Sequence, residues 1–133
     1  MKKALLALLV LTPSLLFSSY FSDGIRAYKS GDYTKAKEML QKAVDKEGAQ
    51  QAYFLLGLIY LKGKGVNRDL SKARIYLQKA VAFGNARAKC FLAEAKILSK
   101  RADKKELLGL LKEGRENGAG ECTAIAAKYN IPL

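Results

Sequence analysis

Histidine and tryptophan are both absent from the 133 residues, and proline and cysteine occur twice each. Each absence excludes something. Without histidine the chain lacks the commonest general base and the commonest metal ligand. A Ser-His-Asp triad, a Cys–His pair and an HExxH zinc helix are all ruled out. Two cysteines alone fall short of a four-ligand zinc site, so neither metal nor cofactor is expected. Two prolines leave no proline-rich linker, and the lack of tryptophan argues against an aromatic carbohydrate platform. Acidic residues are the scarcer charge, 12 Asp+Glu against 24 Lys+Arg, for a formal charge of +12. Half of the residues are apolar, which separates the chain from disordered polycations. One domain with a modest core fits this length.

The first residues form a separate object. Met1-Lys2-Lys3 is basic, residues 4–11 are unbroken apolar, and small residues follow at Ser18-Ser19. No acidic residue precedes Asp23. This is the layout of a secretory signal. Residues 1–18 are therefore expected to be a signal peptide, cut after Ser18 or Ser19, ahead of a domain over 19–133. The apolar run falls short of the roughly 20 residues of a membrane span, so no span is expected after its removal. An uncleaved N-terminal anchor is the alternative. The expected location is periplasmic or secreted.

The remainder repeats itself. Ala36, Leu40 and Ala43 return as Ala73, Leu77 and Ala80, and Gly48, Ala52 and Gly57 return as Gly84, Ala88 and Ala93. Ala80 and Gly84 return once more as Gly114 and Gly118. A period of this size signals stacked supersecondary units. Each unit reads as two helices. In the middle one, 49–61 is apolar nearly all round and must be covered on several sides. Gly63-Lys64-Gly65 breaks it, Asp69 starts a second helix, and Leu70, Ala73, Leu77, Ala80 and Val81 share one face. Gly84 ends that helix. The units fall at about 19–48, 49–84 and 85–118, with a closing helix over 119–129. The expected fold is all-α, an α-α superhelix (solenoid) of about three helix pairs plus the closing helix.

These residues reach a family. Ala52-Tyr53-Phe54-Leu55-Leu56-Gly57-Leu58-Ile59-Tyr60, Gly63-Lys64-Gly65-Val66-Asn67-Arg68-Asp69, Lys72-Ala73 and Lys79-Ala80-Val81-Ala82-Phe83-Gly84 resemble the Sel1-like repeat. Its pattern is A-x-x-x-L-G-x-x-Y, G-x-G-V-x-x-D, K-A and K-A-A-x-x-G. Unit one resembles the related tetratricopeptide repeat through Gly24, Tyr28, Gly31-Asp32-Tyr33, Ala36, Leu40 and Ala43. Unit three begins well at Asn85-Ala86 and Leu92-Ala93, but Ser99-Lys100-Arg101-Ala102-Asp103 replaces the glycine loop. The resemblance implies an α-solenoid that binds proteins or peptides without catalysis, in a bacterial envelope. It also implies that first helices line a partner groove. Phe54, Leu58 and Lys62 then face the partner, with Arg87 at the mouth and Cys90, Glu94 and Leu98 in unit three. Phe21, Ile25 and Lys29 are their counterparts in unit one. The apolar members read equally as core.

Some cysteine-rich relatives carry a β-lactamase or penicillin-binding label, which makes such an activity the alternative function. None of the serines has the lysine three residues on that this chemistry needs. Cys90 and Cys122 lie on helices expected to neighbour each other. Either they form a disulfide or they are two small buried hydrophobes. Basic residues concentrate over 62–79 and 87–105. They read as a patch for an acidic partner or as a solvated helix face. Nucleic acid is not expected as the partner of an exported chain.

Overall fold

A computed structural model describes residues 19–133; the expected signal segment lies outside them. Seven helices follow in order: α1 (Tyr20–Ser30), α2 (Tyr33–Glu47), α3 (Ala52–Lys62), α4 (Leu70–Ala82), α5 (Ala86–Leu98), α6 (Lys104–Glu116) and α7 (Glu121–Lys128). No strand occurs among the described residues. The pairs α1/α2, α3/α4 and α5/α6 pack within themselves, and α2 on α3 and α4 on α5 join them in sequence. α7 lies against α5 and α6. This is an all-α solenoid of three helix pairs with a closing helix.

Local chemistry sets the helix ends. Ser19, Asp32, Asp69, Asn85 and Asp103 each accept a hydrogen bond from the backbone N–H three residues on. Such caps satisfy one of the N–H groups a helix leaves unpaired. Two boundaries differ from the sequence expectation. α3 starts at Ala52 rather than 49, because Ala49 N–H turns back onto Ala43 O to complete the end of α2. α7 starts at Glu121 rather than 119, because Ala119 N–H turns back onto Gly114 O to complete the end of α6.

Glycine lets the paired helices approach. A Cβ on Gly24 would lie 2.8 Å from Leu40 Cγ, and one on Gly57 would lie 2.7 Å from Leu77 Cγ. Leu40 and Leu77 are fully buried. The core forms two clusters that meet at α3. Leu56 and Ile59 face Leu40 and Ala43 on one side, while Phe54, Leu58 and Leu61 join Leu77, Phe91 and Leu111 on the other. α3 is thus buried on more than one face, which is why its sequence shows no single apolar stripe.

Candidate partner cleft at the α3–α5–α7 junction

The cleft begins with a loop. Lys62 ends α3, and the chain turns at Gly63 and Gly65, both in the left-handed region. A side chain at Gly65 would be strained by its φ of 67°, and its Cβ would lie 2.9 Å from Tyr33 Cβ. Lys64 fastens the same loop to α2, its Nζ donating to Tyr33 OH at 3.0 Å and lying 4.6 Å from that ring's centre. That hydrogen bond raises the Lys64 pKa above the ordinary lysine value. Asp69 N–H then returns to Tyr60 O at 3.0 Å. Arg68 is carried back beside the end of α3 and left exposed.

The opposite wall is covalently fixed. Cys90 on α5 and Cys122 on α7 form a disulfide with Cα atoms 4.6 Å apart. Both residues are fully buried, and Gly114 on α6 leaves room for them: a Cβ there would collide with Cys122 Sγ. The bond brings the end of α7 to Glu94. Glu94 is 7% exposed and accepts from Lys128 Nζ at 2.8 Å and from Tyr129 OH at 3.0 Å. A buried carboxylate needs such partners, since an unpaired charge away from water is strongly disfavoured. The bond to Glu94 raises the Lys128 pKa. Burial, then the same carboxylate, raises that of Tyr129.

Leu61, Lys62, Arg68, Glu94, Leu98, Lys128 and Tyr129 together line a cleft of about 400 Å³. Its charges are unequally matched. Glu94 is taken by Lys128 and Tyr129, whereas Lys62 and Arg68 have no carboxylate partner among the described residues. Lys62 Nζ instead lies 5.3 Å from the Phe91 ring centre. Two exposed cations at the edge of a cleft favour an anionic guest. No cluster of three or more metal-ligating side chains occurs among the described residues.

The structure thus brings Lys62, Glu94 and Leu98 together and separates the other expected contact residues. Phe54 and Leu58 are 6% and 5% exposed. They are core residues beneath the cleft rather than a contact surface, because α5 packs over them and sets Phe91 5.9 Å from the Phe54 ring. Arg87 is outside the cleft. Its guanidinium lies 5.0 Å from the Phe54 ring centre, and its Nε donates to Glu121. Glu121 is held below the ordinary carboxylate range by its own backbone N–H at the start of α7 and by Arg87. Phe21, Ile25 and Lys29 of unit one do not line it either. Arg68, Lys128 and Tyr129 were missed by the sequence reading. Arg68 precedes the capping aspartate of the glycine loop, so its place depends on how that loop folds back. Lys128 and Tyr129 depend on where the closing helix docks, which the repeat pattern does not specify. The pairing of Cys122 with Cys90 is the signal that would have found them.

Helix pairs stacked side by side, with a polar cleft between first helices and a closing helix, define an α-solenoid repeat protein. The Sel1 repeat family model matches residues 18–47 and 50–84. A solved Sel1 repeat protein from Oxalobacter formigenes is 30% identical, with a TM-score of 0.65. The match covers 77% of this chain and 44% of that protein, so this chain spans less than half of its relative's length. The chain is a Sel1-like repeat protein.

Proposed function

We propose that this chain is an exported, non-catalytic interaction module of the bacterial cell envelope, which receives an acidic protein segment in the α3–α5–α7 cleft. Sel1 repeats generally mediate protein–protein interaction, which supports a binding role. The observation that carries the site is the pair Lys62 and Arg68, exposed at the cleft edge and without a carboxylate partner among the described residues. The bonded Lys128–Glu94–Tyr129 wall opposite them is preorganised, which lowers the ordering penalty of association. Export is supported by the basic and apolar start of the sequence. A disulfide also fits a periplasmic or secreted location. Among the described residues no helix is long and apolar enough to cross a membrane.

Crosslinking in intact envelopes tests the reading. Wild type is expected to yield a discrete adduct that Lys62→Glu with Arg68→Glu abolishes and that Lys29→Glu leaves unchanged. Equal adducts from all three would reject the cleft. Residues 1–22 fused to a reporter active only outside the cytoplasm are expected to switch it on. A silent reporter would reject export, and hydrolysis of a chromogenic β-lactam by the pure protein would reject the non-catalytic role.

A further inference from the structure

The opposite side of α3 carries a second feature. At about 100° per residue, Tyr53 and Tyr60 share one face of α3 and Lys62 falls on the other. Tyr53 and Tyr60 enter a row of four rings. Phe83 stacks on Tyr53 at 6.1 Å and 9°, Tyr53 on Tyr76 at 6.1 Å and 29°, and Tyr76 on Tyr60 at 5.8 Å and 11°. Tyr76 OH donates to Gln41 Oε1 of α2 at 3.0 Å, which ties the row to the neighbouring unit. The three tyrosines pack their inner edges on the core, and the row runs out from there to the surface. Phe83 is 53% exposed, as is Ile75 about two turns before it, and the three tyrosines are half-buried.

Charge accompanies the rings. Lys72 Nζ lies 5.1 Å from the Tyr60 ring centre and Lys79 Nζ 5.0 Å from that of Tyr53. Lys72, Ile75, Tyr76, Lys79 and Phe83 follow one another at helical spacing, so α4 presents them as a single stripe. α4 itself contains Lys72, Arg74 and Lys79 and no acidic residue. Alongside, α2 and Tyr60 enclose a groove of about 540 Å³ lined by Thr34, Lys37, Glu38, Gln41 and Lys42.

We propose that this α2–α4 face is a second docking surface, and that its occupant is an acidic amphipathic helix of a partner protein. The apolar centre of Tyr60, Tyr76, Ile75 and Phe83 takes the apolar side of such a helix. Lys72, Lys79 and Lys37 at the rim meet its carboxylates. Rings at the centre and charges at the rim are the usual anatomy of a protein interface. Shape favours a helix over a lipid surface: Tyr60 and one side of α2 line a groove, and a concave surface admits a rod more readily than a plane. Ile75 on α4 and Phe83 at its C-cap are already exposed, so binding requires no unfolding. The surface lies away from Lys62 and Arg68 and stands or falls separately from the cleft.

The test is a titration of the folded, oxidised protein with a synthetic helical peptide carrying Glu on one face and Leu and Phe on the other, followed by backbone amide NMR. Amide shifts are expected along α2 and α4, whether or not the residues around Lys62 and Glu94 also respond to the peptide's carboxylates. Ile75→Ser with Phe83→Ser, both at exposed positions, is expected to weaken binding about tenfold or more. Lys72→Glu with Lys79→Glu is expected to do the same, with a loss that shrinks as salt is added. A Glu→Gln version of the peptide is expected to bind at least about tenfold more weakly. Shifts confined to the α3–α5–α7 cleft, or binding indifferent to both double variants, would overturn the proposal. So would capture by phosphatidylglycerol vesicles without peptide binding, or concentration-dependent self-association that Phe83→Ser abolishes.

Discussion

The first two helix pairs and the third solve the same packing problem differently. In units one and two a glycine on the first helix receives a leucine from the second, Gly24 against Leu40 and Gly57 against Leu77. In unit three the position of Gly57 is taken by Ala93, and the glycine has moved to the second helix as Gly114. It makes room there for the Cys90–Cys122 disulfide instead of a leucine. The turns differ in parallel. Gly31 and Gly63 adopt positive φ at the ends of α1 and α3, whereas Lys100 does so after α5, with φ 54°. The first two pairs are therefore closed by a leucine on a glycine, whereas the third unit, where the repeat pattern has decayed, adds a covalent bond that ties α5 to the closing helix α7. That covalent bond also positions the wall of the candidate cleft.

The largest effect should come from breaking the bond. Cys90→Ser with Cys122→Ser is expected to remove about 3–4 kcal/mol, from the loop-closure entropy of a 32-residue separation. Hydrogen exchange should then locate the loss in α7 and the end of α5, with α1–α3 protected as before. Uniform loss across all helices would erase the distinction between the two regions. Gly57→Ala comes next. The new Cβ would press on buried Leu77, an overpacking expected to remove about 1–3 kcal/mol, measured by urea denaturation. Gly109→Ala is the control: nothing lies within 4 Å of that Cβ, and an interior helical glycine replaced by alanine should add about 0.5–1 kcal/mol. A gain of similar size is expected from Lys100→Gly, which relieves a left-handed lysine and should add about 0.5 kcal/mol or somewhat more. No gain would mean the third turn is not strained relative to the first two.

The pH dependence of the two ends of α7 should be weaker still, and opposite in sign. Lys128 and Tyr129 have raised pKa values, so their bonds to Glu94 contribute fully below the ordinary lysine and tyrosine values. They are lost as pH rises through the folded values, above about pH 10. Glu121 has a lowered pKa, so its contribution is present above the ordinary carboxylate value. It is lost as pH falls through the folded value, below about pH 4. Protection factors of the α7 amides, which divide out the intrinsic pH dependence of exchange, should stay flat between these limits and fall outside them. A transition near neutrality would contradict both assignments.

Much of the fold was legible because close helix packing leaves a record. Ala36, Ala73 and Ala80 mark the buried faces, and capping residues mark most helix starts. The start of α3 was not legible, since Gly48 completes α2 through Ala49 before the new helix begins. The site was legible in part. Lys62 and Glu94 follow from repeat register, but register alone assigns Phe54 and Leu58 to the same face. Their burial depends on how closely α5 approaches α3, a tertiary quantity. Arg68 and Tyr129 needed a folded loop and a docked helix. The ring row was hidden for a similar reason: Tyr53, Tyr60, Tyr76 and Phe83 look like ordinary repeat positions until α3 and α4 are set side by side.

The central claim is that the cleft held open by the third unit receives an acidic segment through Lys62 and Arg68. Calorimetric titration with a short Asp/Glu-rich peptide, too short to form a helix, tests it directly. The wild-type protein should bind with an affinity that falls as salt is raised, Lys62→Glu with Arg68→Glu should weaken it at least about tenfold, and Ile75→Ser with Phe83→Ser should leave it unchanged. Binding that survives the two charge reversals would contradict the account.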